Sequence, residues 1–111
     1  NCKNYDTYEN IYVCASSVNE KGGKLLNEKY KSLEDYLNDK NKVKYKDKLR
    51  DAQRLWGEFR DVDCEFAVPK PKEPDDLYRS NIAICIAKKT LIRLKELEDY
   101  ELQRGYDGFS W

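Results

Sequence analysis

Apolar residues return along this chain at steps of three and four, the spacing of one face of an α-helix. Over 7–38 the phase is held by Ile11, Ala15, Val18, Gly22, Leu25 or Leu26, Tyr30, Leu33 and Leu37. Thr7 or Asp6 is placed to cap that helix, because a side-chain oxygen there accepts from the free amides of the first turn. Gly22-Gly23 interrupts the run without shifting its phase, so the spacing predicts one continuous, locally weak helix. The pair marks either a kink or a close approach by a neighbouring helix.

Over 42–66 a second stripe is carried by Leu49, Ala52, Trp56 and Phe59, with Gln53 and Arg60 at its edge. A helix bearing an indole, a guanidinium and, at its end, Cys64 reads as the central packing element. The polar turn Asn38-Asp39-Lys40-Asn41 is short enough to join two antiparallel helices, with Asn41 as a cap for the second. A third helix is predicted over 81–103, capped by Ser80 or Asn81. Its apolar side runs through Ile82, Ile86, Leu91, Leu94, Leu97 and Leu102. Gly105 is the expected terminator, followed by an aromatic tail over 106–111. The fold class is therefore all-α, a three-helix antiparallel bundle, and 1–111 is expected to be a single helical domain.

Between the second and third helices, Pro69, Pro71 and Pro74 exclude regular structure, since proline lacks an amide donor and disfavours helix before it. Leu77 and Tyr78 are expected to pack the far end of this loop back on the core. Basic and acidic residues number 21 each, so no global field argues for nucleic acid or an anionic membrane. Locally the balance is uneven. Residues 40–60 hold eight basic and three acidic side chains, whereas 61–78 hold two basic and six acidic. That polarity is either a solvated helix face beside an acidic loop or a surface that orients a charged partner.

Four cysteines in 111 residues point to two disulfides and an oxidising compartment. Three pairings are open from spacing alone. In an antiparallel hairpin, Cys64 ends one helix where Cys85 begins the next, and the arm bearing Cys2 need only fold back to Cys14. The expected pairs are Cys2–Cys14 and Cys64–Cys85; the alternative links the arm to the second or third helix. No apolar run reaches the length of a membrane span. The opening Asn1-Cys2 is read as the start of a mature or trimmed exported protein, periplasmic or secreted.

Catalytic chemistry finds little support. The chain has no histidine, which removes imidazole-based nucleophilic arrangements and zinc knuckles alike. Carboxylate pairs such as Asp61 with Asp63, or Asp75 with Asp76, match no calcium-loop spacing. No phosphate-cradling glycine loop is present. The expectation is a non-enzyme with no cofactor and no metal. Trp56, Arg60 and Gln53 each have two readings. Arg60 either anchors a partner's carboxylate or joins two helices within the fold, and Trp56 is either core or contact. Tyr5, Tyr8, Tyr12, Tyr30 and Tyr36 partly share the first helix's buried side, and those at its margin offer a sticky face.

The run Leu49-Arg50-Asp51-Ala52-Gln53-Arg54-Leu55-Trp56, followed by Phe59-Arg60-Asp61 and Cys64, resembles the signature of the LprI-like lysozyme inhibitor family. Cys14-Ala15, Leu26-Asn27, Tyr30 and Cys85 are similar to its other markers, so the likeness spans about residues 2–100. Where that family tends to carry an alanine-aspartate pair, this chain has Gly22-Gly23. The resemblance implies a small, exported, disulfide-bonded helical domain whose partner is a protein.

Three functions follow as expectations. The first is occlusion of the cleft of a lysozyme-type peptidoglycan hydrolase, an enzyme that works through two carboxylates. The proline loop is then the rigid projection, with Lys70 and Lys72 as donors and Glu73, Asp75 and Asp76 complementing a cationic rim. The second is immunity against a cell-wall-degrading or other envelope toxin. The third is a non-inhibitory envelope structural or stress domain.

Overall fold

In the computed structural model, which describes residues 2–103, a 3₁₀ turn at Cys2–Asn4 leads into three helices. They are α1 (Tyr8–Asp39), α2 (Val43–Ala67) and α3 (Asp76–Gln103). At 1.5 Å per residue α1 is about 48 Å long, nearly the 50 Å long axis of the molecule. The chain runs up, down and up, so α1 and α3 lie parallel and α2 antiparallel to both. The expected terminator Gly105 and the tail 106–111 lie outside the described residues.

Local chemistry sets the boundaries. Thr7 has extended backbone and its side chain accepts from the Asn10 amide at 3.1 Å, so it caps α1 as expected. Asn41 does not cap α2. It has a φ of 57°, the left-handed conformation that asparagine tolerates better than most residues. The Lys42 amide reaches back to the Leu37 carbonyl at 2.8 Å and the Asn41 amide to Asn38 at 3.0 Å. That paired closure ends α1 by satisfying its last carbonyls. Lys42 opens α2 without any side-chain cap.

The third helix begins five residues before the expected boundary. Asp75, and not Ser80 or Asn81, is its cap: Oδ1 accepts from the Tyr78 amide at 2.8 Å. Asp76 then sits in the first turn, where a negative charge is favoured. Ser80 is buried inside the helix and its Oγ donates to the Leu77 carbonyl at 2.9 Å.

The packing centre also differs from the expectation. The buried residues of α1 and α3 face each other, among them Leu26, Leu33, Ala83, Ala87 and Leu97. On α2 only Cys64 is buried. Leu49 and Trp56 are half-buried against the Leu26–Leu33–Leu97 cluster, while Ala52 and Phe59 are exposed. The α1–α3 seam is therefore the core, and α2 lies over part of it. The physical reason is visible at Gly22, where a side chain would meet Leu91 Cδ2 at 3.1 Å and Thr90 Cγ2 at 3.5 Å. Its missing Cβ lets the two long helices approach closely. Helix α1 passes through both glycines unbroken, and Gly22 marks a close approach. A Cβ on Gly23 would meet nothing within 4 Å.

Polar groups inside this seam are matched. Thr90, 1% exposed, donates from Oγ1 to Asn19 Oδ1 at 2.6 Å. Arg93, 8% exposed, donates from Nε to Gln53 Oε1 at 3.0 Å and pairs with Glu96 at 3.1 Å. Both expected disulfides are present. Cys2–Cys14 ties the arm to α1, and Cys64–Cys85 ties the end of α2 to α3, with Cα–Cα distances of 5.5 and 5.8 Å.

Candidate partner-binding surface

The loop 68–75 is fixed at both ends by independent devices. At its start, the Val68 amide closes α2 by donating to the Cys64 carbonyl at 2.9 Å. Cys64 is itself locked to Cys85. At its finish, Asp75 is bonded into the first turn of α3 through the Tyr78 amide, and the Arg79 amide reaches the Asp75 carbonyl at 3.0 Å. Between these anchors three prolines restrict the backbone. The loop arches over α3 and leaves an open hollow of about 540 Å³ beneath it, lined in part by Val68, Pro69, Pro71, Leu77, Tyr78 and Ile84. Tyr78 is half-buried there, as expected. Leu77 remains exposed, contrary to the expectation that it packs on the core.

The five loop candidates divide into two groups. Asp75 serves as the helix cap, and Asp76 pairs with Arg79. Lys70, Lys72 and Glu73 are exposed and make no side-chain hydrogen bond or ion pair among the described residues. Those three project charge outward from a constrained backbone. A second hollow, lined by Tyr5, Thr7, Tyr8, Ile11 and Asp76 among others, sets the amino-terminal tyrosines beside the loop's far end. Tyr5, Tyr8 and Tyr12 are exposed, whereas Tyr30 and Tyr36 are half-buried.

The second-helix motif has a more local role than its prominence implied. Gln53 accepts from Arg93 and so fastens α2 to α3. The Arg60 guanidinium lies over the Trp56 ring at 5.1 Å and pairs with Asp61 at 2.9 Å. Its ion pair and its ring contact both stay on its own helix. Phe59 is solvent-facing, with Lys89 over its ring at 5.3 Å. Lys89 also pairs with Asp63 at 2.5 Å, a second link between α2 and α3.

Sequence reasoning passed over Arg93. A signal was available: Arg93 falls in the same phase as Ala83, Ala87, Thr90 and Leu97, at steps of four, three, three and four. A cation in the buried phase of a helix calls for an acceptor on a neighbour.

Among the described residues no cluster of three or more His, Cys, Asp or Glu side chains is placed to hold a metal. No helix among them is long and apolar enough to cross a membrane. The surface offers shape, charge and apolar contact. Compared with known protein families, the chain matches the family described as lysozyme inhibitor LprI over residues 2–97. Comparison with curated proteins and with solved structures gave no match.

Proposed function

The chain belongs to the lysozyme inhibitor LprI family, and from that premise we propose that it binds a lysozyme-type peptidoglycan hydrolase and blocks its cleft. The loop 68–75 is the blocking element. The observation that carries this reading is its combination of fixed ends with free charge. Lys70 and Lys72 are exposed and unpaired on a backbone clamped by Cys64–Cys85 and by the Asp75 cap.

A cleft that hydrolyses glycosides presents two carboxylates. An ammonium delivered on a pre-ordered loop pairs with a carboxylate there at a smaller entropy cost than one on a mobile segment. Glu73 borders the lysines and complements a basic rim. In this reading the protein performs no chemistry, and the two disulfides belong to an oxidising compartment outside the cytosol.

The test is a cell-wall lysis assay with purified protein and lysozymes of several structural classes. Inhibition that saturates at equimolar protein is expected for at least one class. The Lys70→Glu, Lys72→Glu double variant is expected to weaken inhibition by about tenfold or more, equivalent to about 1.4 kcal/mol, with unchanged helicity. Lysis unaffected by micromolar protein in every class overturns the reading.

A further inference from the structure

One side of α2 is apolar and faces solvent. Leu55, Phe59, Val62 and Phe66 follow one another at steps of four, three and four, so they line one stripe of the helix. Their exposures are 53%, 60%, 64% and 82%. The stripe lies on a different side of α2 from Leu49, Gln53, Trp56 and Cys64, the residues directed at the core and at α3. Single exposed apolar side chains are ordinary, whereas a contiguous row of four, two of them aromatic, marks a contact surface.

We infer that this stripe is a docking face for a protein whose surface presents an apolar patch bordered by basic residues, and that it binds together with the loop that follows it. The inference rests on the inhibitor reading above and names the second contact such a partner makes.

Charge selects the partner. From Asp51 to Phe66 the helix carries five acidic and two basic side chains. Both cations are occupied: Arg54 with Asp51 and Glu58, Arg60 with Asp61 and the Trp56 ring. Lys89, the cation over Phe59, is paired with Asp63. Counting Lys89, five carboxylates and three cations flank the stripe, and Glu65 is the one carboxylate outside these pairs, a net negative balance that favours a basic border on whatever covers it.

A second copy of the chain is a poor occupant. A two-fold contact centred on the stripe sets the same acidic segment against itself. Size argues similarly. The stripe is about 17 Å long at 1.5 Å per residue. Four side chains on that length fall short of the roughly 800 Å² per partner of a stable interface. Phe66 is one residue from the end of α2 and two from the loop, so a partner seated on the loop extends onto the stripe and reaches that size.

The experiment is sedimentation velocity and titration calorimetry with a purified cationic lysozyme, at low and at raised salt. The variants are Phe59→Ser with Phe66→Ser, and Glu58→Lys with Glu65→Lys. Every substituted residue is exposed, and circular dichroism confirms that helicity is kept. Wild type is expected to sediment as a monomer alone and to bind the lysozyme. The serine pair is expected to lose about tenfold or more in affinity. The lysine pair should lose a similar factor at low salt and less at high salt. Variants that bind as wild type does overturn this inference and leave the inhibitor reading standing. Wild type that forms a dimer dispersed by the serine pair shows a second copy on the stripe and also overturns it. Wild type that neither dimerises nor binds overturns both.

Discussion

The two ends of the bundle are built differently. At the end where α1 turns into α2, the core is Leu26, Leu33 and Leu97, with Tyr30, Leu49, Trp56, Leu94 and Tyr100 against it. At the other end the seam is made of small side chains, Ala15, Ala83 and Ala87, and both disulfides lie there. Where the buried side chains are small, Cys64–Cys85 ties α2 to α3 and Cys2–Cys14 ties the arm to α1. On α2, Leu55, Phe59, Val62 and Phe66 face outward, with Phe66 next to the loop. The contrast teaches that the two ends are held by different means, large apolar side chains at one and covalent links at the other.

The largest effect should come from the packed end. Leu97 is fully buried, so Leu97→Ala is expected to cost about 3 kcal/mol or more. Ala87→Gly at the stapled end should cost about 1 kcal/mol, mainly through helix propensity. Denaturant midpoints at unchanged slope measure both. Equal costs would break the contrast. Next, Cys64→Ser with Cys85→Ser removes a link across 21 residues and should cost about 3 kcal/mol. It should also speed proteolysis within 68–75. A loss below about 1 kcal/mol would show that packing, and not the staple, holds that end.

Much of this is legible in the sequence, and the exceptions have separate causes. Period gives α1 and α2 to within a residue, helped by the Thr7 cap at the start of α1 and the proline loop after α2, although Asn41 is not the cap of α2. The disulfide pairs followed from topology. The start of α3 was misjudged because Ser80 and Asn81 are good caps in isolation, while Asp75 is a better one directly after the last proline. The central role given to α2 failed for a different reason. Trp56 and Phe59 are large, and size reads as core, but burial is decided by how closely helices approach. Gly22 permits that approach between α1 and α3, and its consequence cannot be read without knowing its neighbour. For the candidate surface, the proline loop is legible in the sequence, whereas the outward stripe follows only from knowing which side of α2 is covered.

The middle of the bundle sharpens the comparison by a smaller amount. Gln53→Leu leaves the buried Arg93 Nε without its acceptor and should cost about 2 kcal/mol. Adding Arg93→Met removes the orphaned cation and should restore most of that loss, since apolar replacements of buried charged groups are often well tolerated. A double-mutant cycle reads the coupling directly. Additive losses would mean that the two side chains act separately. The adjacent glycines come next. Gly23→Ala meets nothing within 4 Å and should stabilise by about 1 kcal/mol. Gly22→Ala must displace Leu91 Cδ2 from 3.1 Å and should gain less. Equal gains would mean that the seam is looser there than the geometry indicates.

The smallest effect is a pH dependence confined to the packed end. Burial raises the Tyr30 phenol above its ordinary value of 10.0, and its bond to Glu34 and that group's charge act the same way, against Arg50. The phenol donates to Glu34 Oε2 at 3.1 Å. The folded protein therefore holds this proton more tightly than the unfolded chain does. The resulting stabilisation is fully present below the unfolded value near 10 and is lost as pH rises through the folded one. The chain has nine tyrosines, so the signal is the difference in tyrosinate absorbance between wild type and Tyr30→Phe. That difference curve should have its midpoint above the ordinary tyrosine value. Glu34→Gln should bring it down, because the carboxylate's charge is gone while an acceptor remains. A midpoint at or below the ordinary value would mean that water reaches Tyr30 and that the packed end is open at this point.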